Sequence, residues 1–331
     1  MTKLLEIREW MRNFYGRFEL YIKPAIRFVL AIVTFLAING KIGYMARLKS
    51  PVVAIGLALL CTFLPINATV VLAALLVLAH LAALSLEVCV VALLLFLVMF
   101  FLYFKFAPKD GYIALLTPVL GRYGISEIMP TAVGLTKHPY SILSMVCGLI
   151  IYYFLKGVKA MEGSLGATDE SAEVSKFTVA LQQIVQNKEL ILAVIAFVAA
   201  ALIVYIIRRQ SMAHSWTVAV VVGNTANLII LLTGSFLIGD TAGILWIILG
   251  TVAAVLVGII MEFFLFHLDY ARVEQVQFED DEYYYYVKAV PKIFLSGKEK
   301  QVKQISGGKN TGISKKQLAD EFDIDQDLLE D

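Results

Sequence analysis

The sequence predicts an all-α polytopic integral membrane protein. It would have seven to eight transmembrane helices with a re-entrant hairpin, plus a small cytosolic β-hairpin module. Of 331 residues, 59% are apolar or aromatic and 17% are charged; a soluble domain carries about 45–50% apolar and about 25% charged residues. Mean hydropathy is +0.77, and the apolar residues are gathered in long runs separated by short polar stretches. Such a composition excludes a soluble enzyme, a disordered chain, a coiled coil and a secreted disulfide scaffold.

Residues 1–23 read as an interfacial amphipathic helix. Leu4, Ile7, Met11, Phe14 and Phe18 recur three and four apart on one face, with Lys3, Arg8, Arg12 and Arg17 largely off it. Residues 24–155 form the first membrane domain. Its segments 24–39 and 51–64 are shorter than the roughly 17–25 residues a span needs, so they are tilted half-spans or are extended by their flanks. Segments 68–86 and 88–104 form a hairpin turning at Glu87; 140–155 is uninterrupted, whereas 112–136 is broken. Residues 156–188 are a polar loop followed by an amphipathic helix on Val174, Phe177, Leu181, Ile184 and Val185. A three-helix membrane domain covers 189–267.

Residues 268–331 change character and read as a cytosolic C-terminal module with an acidic tail. Residues 272–278 and 283–290, joined by Glu279-Asp280-Asp281-Glu282, have a β-hairpin pattern. Lys292–Ile305 suggests a weaker second hairpin. Ser314 with Gln317 makes a capping box for a final helix. From Asp269 onward the chain carries fourteen acidic and nine basic residues, net −5, against +1 for the whole.

The stretch 112–136 either crosses the membrane or dips in and returns. Counting basic residues near the segments does not discriminate between the two. Length favours the re-entrant reading: 112–121 and 127–136 each rise about 15 Å, half of a core about 30 Å thick. With the amino terminus placed inside, that topology leaves both termini on the cytoplasmic side.

The candidate path residues follow from the same stretch. Thr117, Pro118 and the glycines around Arg122 break helical bonding, which is tolerated at membrane depth only inside protein or along a wet cavity. Arg122 and Glu127 are ionisable at that depth; such groups are usually internal and functional. They either line a path or pair to close the turn. Asn224 and Asn227, on one helix face, either line the path or bond neighbouring helices. His80, with Glu87 seven residues on, is a relay candidate or a histidine bonded to a neighbour. Gly250, Ala254 and Gly258 form a small-residue strip for close helix packing. Tyr283, Tyr284, Tyr285 and Tyr286 are candidates for docking a partner along a strand edge, or for packing a small sheet.

Cys61, Cys89 and Cys147 lie in apolar runs and suit packing, not a disulfide or metal site. Residues 323–327 lack the turn glycine of a calcium loop, and 307–311 lack the spacing of a phosphate loop. No enzyme activity, metal, cofactor or nucleic acid is expected. The expected partners are the lipid bilayer and a separate ATPase subunit or cytosolic protein; oligomerisation stays open.

The stretches Leu115–Pro118 through Ile150–Tyr153, Gln277–Lys292 and the His214-Ser215-Trp216-Thr217 helix start resemble an uncharacterised family of polytopic membrane proteins of Gram-positive bacteria. Some members are labelled ABC transporter permease. The resemblance implies a plasma-membrane location and no established activity. Two functions are therefore expected in competition. One is a permease-like or channel-like transport component of unknown substrate. The other is a non-transporting scaffold that recruits a cytosolic or envelope-assembly partner through its C-terminal module.

Overall fold

A computed structural model describes residues 2–165, 186–210, 214–239, 243–265, 274–279 and 284–289, with the isolated positions 178, 182 and 212. The chain divides into two units, Glu6–His267 and a second made of Met1–Leu5 with Leu268–Asp331.

The first unit is a helical bundle. Its elements are α1 (Thr2–Ile42), α2 (Pro51–Phe63), α3 (Ile66–Leu84), α4 (Leu86–Phe106), α5 (Gly111–Arg122) and α6 (Ile128–Thr136). After a 3₁₀ turn at Pro139–Ser141 come α7 (Ile142–Ala160), α8 (Glu162–Leu165), α9 (Lys188–Arg208), α10 (Ser215–Ile238) and α11 (Ile244–Leu265). Among the described residues, seven helical stretches are long and apolar enough to cross a bilayer: Asn13–Ile42, Ile66–Leu84, Leu86–Phe106, Pro139–Ala160, Lys188–Arg208, Ser215–Ile238 and Ile244–Leu265. Their outer faces keep large apolar side chains exposed; on α4, Leu97 is 49% and Phe101 71% exposed. A water-soluble monomer rarely tolerates such a surface, whereas hydrocarbon solvates it. The chain is a multi-pass α-helical membrane protein.

Local chemistry sets the helix ends. Pro51 opens α2, where its missing N–H would have had no helical partner. Asn187 Oδ1 accepts the Leu190 N–H at 3.0 Å and starts α9. Gly239, with φ +83°, closes α10. Ser85 separates α3 from α4, so the turn comes two residues before Glu87. The boundary drawn at residue 23 is not a helix end. α1 runs on to Ile42 and bends where Phe18 leaves helical geometry, six residues before Pro24. The short segment 24–39 is thereby extended by its flanks. α2 has 13 residues and at about 20 Å is too short for a full crossing.

Residues 112–136 fold as a hairpin. α5 and α6 run side by side, and Gly124, with φ +73°, turns the tip against Trp246. The ends meet again: Lys137 Nζ lies 3.3 Å from Asp110 Oδ1. Burial alone would pull the Lys137 ammonium pKa down, but Tyr112 and Asp110 together hold it above its ordinary value. Arg208, at the end of α9, donates to the carbonyls of Leu135 and Lys137, the orphan acceptors that every helix end leaves. The hairpin therefore starts and finishes at one end of the bundle, here called the clasp end. Its tip points toward the other end, where α1 finishes.

α5 and α7 separate two groups of buried apolar residues. One includes Val77, Leu81, Phe96 and Phe154, the other Ile113, Met129, Met145, Phe197 and Leu231. α5 approaches α7 closely at Gly148, where a Cβ would lie 2.6 Å from Thr117 Cβ.

In the second unit, β1 (Glu274–Glu279) and β2 (Tyr284–Ala289) pair antiparallel, with Glu274 opposite Ala289 and Glu279 opposite Tyr284. Besides Thr2–Leu5, which begin α1, the described residues there amount to this two-stranded ribbon. Alone such a ribbon is marginal in water, so it does not support the packed C-terminal module expected from the sequence. The second hairpin and the capped final helix lie outside the described residues, as does most of the helix expected at 174–185.

Candidate functional site

The hairpin stands between two cavities of opposite character. On one face, α5 joins α1, α3, α4 and α7 around an apolar chamber of about 90 Å³ walled by residues such as Ala73, Val77, Phe96 and Leu115. In this measure roughly 10–15 Å³ holds one water, so the chamber has room for several. At the tip end stand Lys41, in the last turn of α1, and Arg122, which ends α5. Gly40 leaves room for the guanidinium: a Cβ there would lie 2.7 Å from Arg122 Nη2. Lys41 Nζ is 4.3 Å from the centre of the Tyr152 ring, a favourable cation–π contact. The charges acting on Lys41 are those of Arg122 and Lys156, both cationic. Lys156 is itself paired with Glu189 at 2.5 Å. Among the described residues, no carboxylate pairs with Lys41 or Arg122.

On the other face, the turn leading into α6 meets α7, α9, α10 and α11 around a polar cleft of about 130 Å³, lined by residues including Ser126, Tyr153, Lys156, Glu189 and Ser235. Glu127 lines it and is 8% exposed, and its Oε2 has no protein hydrogen-bond partner. Burying an ionised carboxylate without a counter-charge is costly, so this is the least compensated group near the tip. Gly250 of α11 makes the niche: a Cβ there would overlap Glu127 Oε2.

Arg122 and Glu127 thus do not form the couple that five residues of separation suggested. The turn aims them into different cavities, and Arg122 is exposed while Glu127 is buried.

The other candidates divide between structure and site. Thr117 is fully buried and its hydroxyl donates to the Ile113 carbonyl at 2.7 Å; Pro118 lines the apolar chamber. Asn224 bonds helices together: its Oδ1 accepts from Thr131 at 3.0 Å and its Nδ2 donates to Val220 O at 2.8 Å. Asn227 is 1% exposed, and neither amide atom has a protein partner. His80 is fully buried. Its Nδ1 accepts the Met45 N–H at 3.2 Å, which makes Nε2 the donor to Asn39 Oδ1 at 2.9 Å. It is a neutral strut between α1, α3 and the loop after α1. The proposed continuity with Glu87 fails because Ser85 breaks the helix, and the Ser85 hydroxyl donates to Glu87. Tyr284, Tyr285 and Tyr286 lie in β2 opposite Glu279, Phe278 and Gln277; Tyr283 lies outside the described residues.

Lys41, Gly40 and Gly250 were missed as site residues. Lys41 reads as an ordinary charge flanking a span. Gly250 was recognised as a close-packing position, but what approaches it is a carboxyl group instead of a helix backbone. Among the described residues, no group of histidine, cysteine and acidic side chains could hold a metal ion.

Fold and site together define a multi-pass helical membrane protein in which the α5–α6 hairpin parts an apolar, cation-capped chamber from a polar, carboxyl-floored cleft. Compared with family models, curated proteins and solved structures, the chain matches none.

Proposed function

We propose that this chain is a permease-like transport component of a bacterial plasma membrane, with both termini cytoplasmic and the α5–α6 hairpin contacting the transported species. The supporting observation is Glu127, a buried carboxyl without a partner for Oε2, lining a polar cleft formed by the hairpin turn and four helices. Intramembrane ionisable groups of this kind mark solute and proton pathways. Uphill movement would call for a separate ATPase subunit or an ion gradient, and the resemblance to permease-labelled proteins agrees with the first. Glu127→Gln keeps the shape and removes the charge. In a strain lacking the gene it should fail to restore the phenotype, while expressing and unfolding like the parent protein. Full restoration would remove the carboxyl from the function.

A second reading is a non-transporting scaffold, favoured by the grouping of Leu268–Asp331 with Met1–Leu5 in a unit apart from Glu6–His267. Deleting residues 269–331 should then abolish partner co-purification and phenotype together, whereas the transport reading predicts that the truncated chain retains activity.

A further inference from the structure

We infer that the apolar chamber beneath Lys41 and Arg122 is a binding site for an amphiphile with a phosphate head and a hydrocarbon chain. This assignment does not rest on the transport reading, because such a ligand is equally at home as cargo or as a fixed lipid. The chamber has cations at one end only. From Arg122 its α5 wall runs back to Ala114, eight residues or about 12 Å along the bundle. Along that length the polar groups are already satisfied: the Thr34 hydroxyl donates to Leu30 O at 2.7 Å, and the Tyr103 hydroxyl to Asn67 Oδ1 at 2.6 Å. The chamber interior therefore asks for hydrocarbon.

The mouth asks for an anion. Lys41 and Arg122 repel one another, and Lys156 beside them is already committed to Glu189. A carboxylate brings one negative charge, whereas a phosphate monoester brings about −1.5 to −2 at neutral pH and matches both cations. Arg122 supplies a planar fork suited to phosphate oxygens and Lys41 a point charge. The position suits a lipid head, since Lys41 lies one residue before the end of α1. A longer tail has a way out. A groove on the outer surface between α1 and α5, lined by Ile26, Val29 and Val33, shares Thr34 and Val119 with the chamber.

The test uses the purified full chain in neutral detergent, with hexadecyl phosphate as probe and native mass spectrometry and calorimetry as readouts. Each chain should bind one molecule. Arg122→Gln, at an exposed position, should weaken binding about tenfold with the melting temperature unchanged, and Lys41→Gln should do the same. Ala37→Phe fills the chamber just below the cations without altering charge and should block binding. Hexadecyltrimethylammonium, of equal chain length and opposite charge, should not compete. Displacement by phosphatidic acid, whose head is a phosphate monoester, supports the site with a bilayer phospholipid as its occupant; retention against phosphatidic acid supports it with a single-chain phosphate. Undiminished binding to the Arg122→Gln, Lys41→Gln double variant, or equal competition by the cationic amphiphile, overturns the assignment.

Discussion

Arg122 and Glu127 stand five residues apart, and the fold gives each its own niche by omitting a side chain opposite it. Gly40 leaves space for the guanidinium and Gly250 for the carboxyl group. Gly250→Ala should therefore act on Glu127. The added methyl group displaces the carboxyl, costs about 1–3 kcal/mol of stability as overpacking does, and should impair complementation as Glu127→Gln does. Retained activity in Gly250→Ala would separate the niche from the function. His80 is predicted to behave in the opposite way. His80→Phe strips partners from the Met45 N–H and from Asn39, at about 1–3 kcal/mol, so the melting temperature should fall while complementation persists. Both charged residues at the tip were legible as unusual from the sequence, since ionisable groups between helix breakers in an apolar stretch carry their own signal. Lys41 was not, because its meaning comes from facing Arg122 across two helices distant in sequence. The same limit made His80 look like a relay; its partners, Asn39 and Met45, become visible only once α1 folds against α3.

At the scale of elements, the hairpin is held at its base. Asp110 and Lys137 clasp the two ends, and Arg208 fills the open carbonyls of α6. Lys137→Gln should lower stability by about 1 kcal/mol, the value of a partly exposed pair. The sign of its pH dependence follows from the raised lysine value. The pair's contribution is present below the unfolded value of about 10.4 and is lost as pH climbs through the higher folded value. The difference in melting temperature between parent and variant should accordingly hold at neutral and mildly alkaline pH and vanish in strongly alkaline buffer. Proline, glycine and the length of each half were enough to read the hairpin from sequence, and its arms, Gly111–Arg122 and Ile128–Thr136, fall close to the expected 112–121 and 127–136. The continuous α1 was not legible in the same way. Polar residues before Pro24 resemble a separate surface helix, and proline argues for a break, yet the bend falls at Phe18 and the helix continues.

For the whole molecule, the hairpin begins and ends at the same end of the bundle, so α4 and α7 run in opposite directions although α5 and α6 lie between them. Single cysteines at Ser126 and at Lys109 should therefore label from opposite faces of the membrane, if the polar cleft carries water to the tip. Labelling of both from one face would exclude this arrangement. Composition sufficed for the membrane class and nearly all the spans. The two-chamber division did not follow from it, because apolar side chains facing lipid and those facing a void look alike in a sequence.

Anchored at the clasp end and bounded at its tip by glycine niches and aromatic side chains, the hairpin is built as a partition. It cannot slide like a piston without tearing Arg208 from two carbonyls, and a swing would have to open the close seams of α5 with α7 at Gly148 and of α6 with α9 at Gly134. The greasy compartment and the acidic one are therefore divided by a wall seated along both arms.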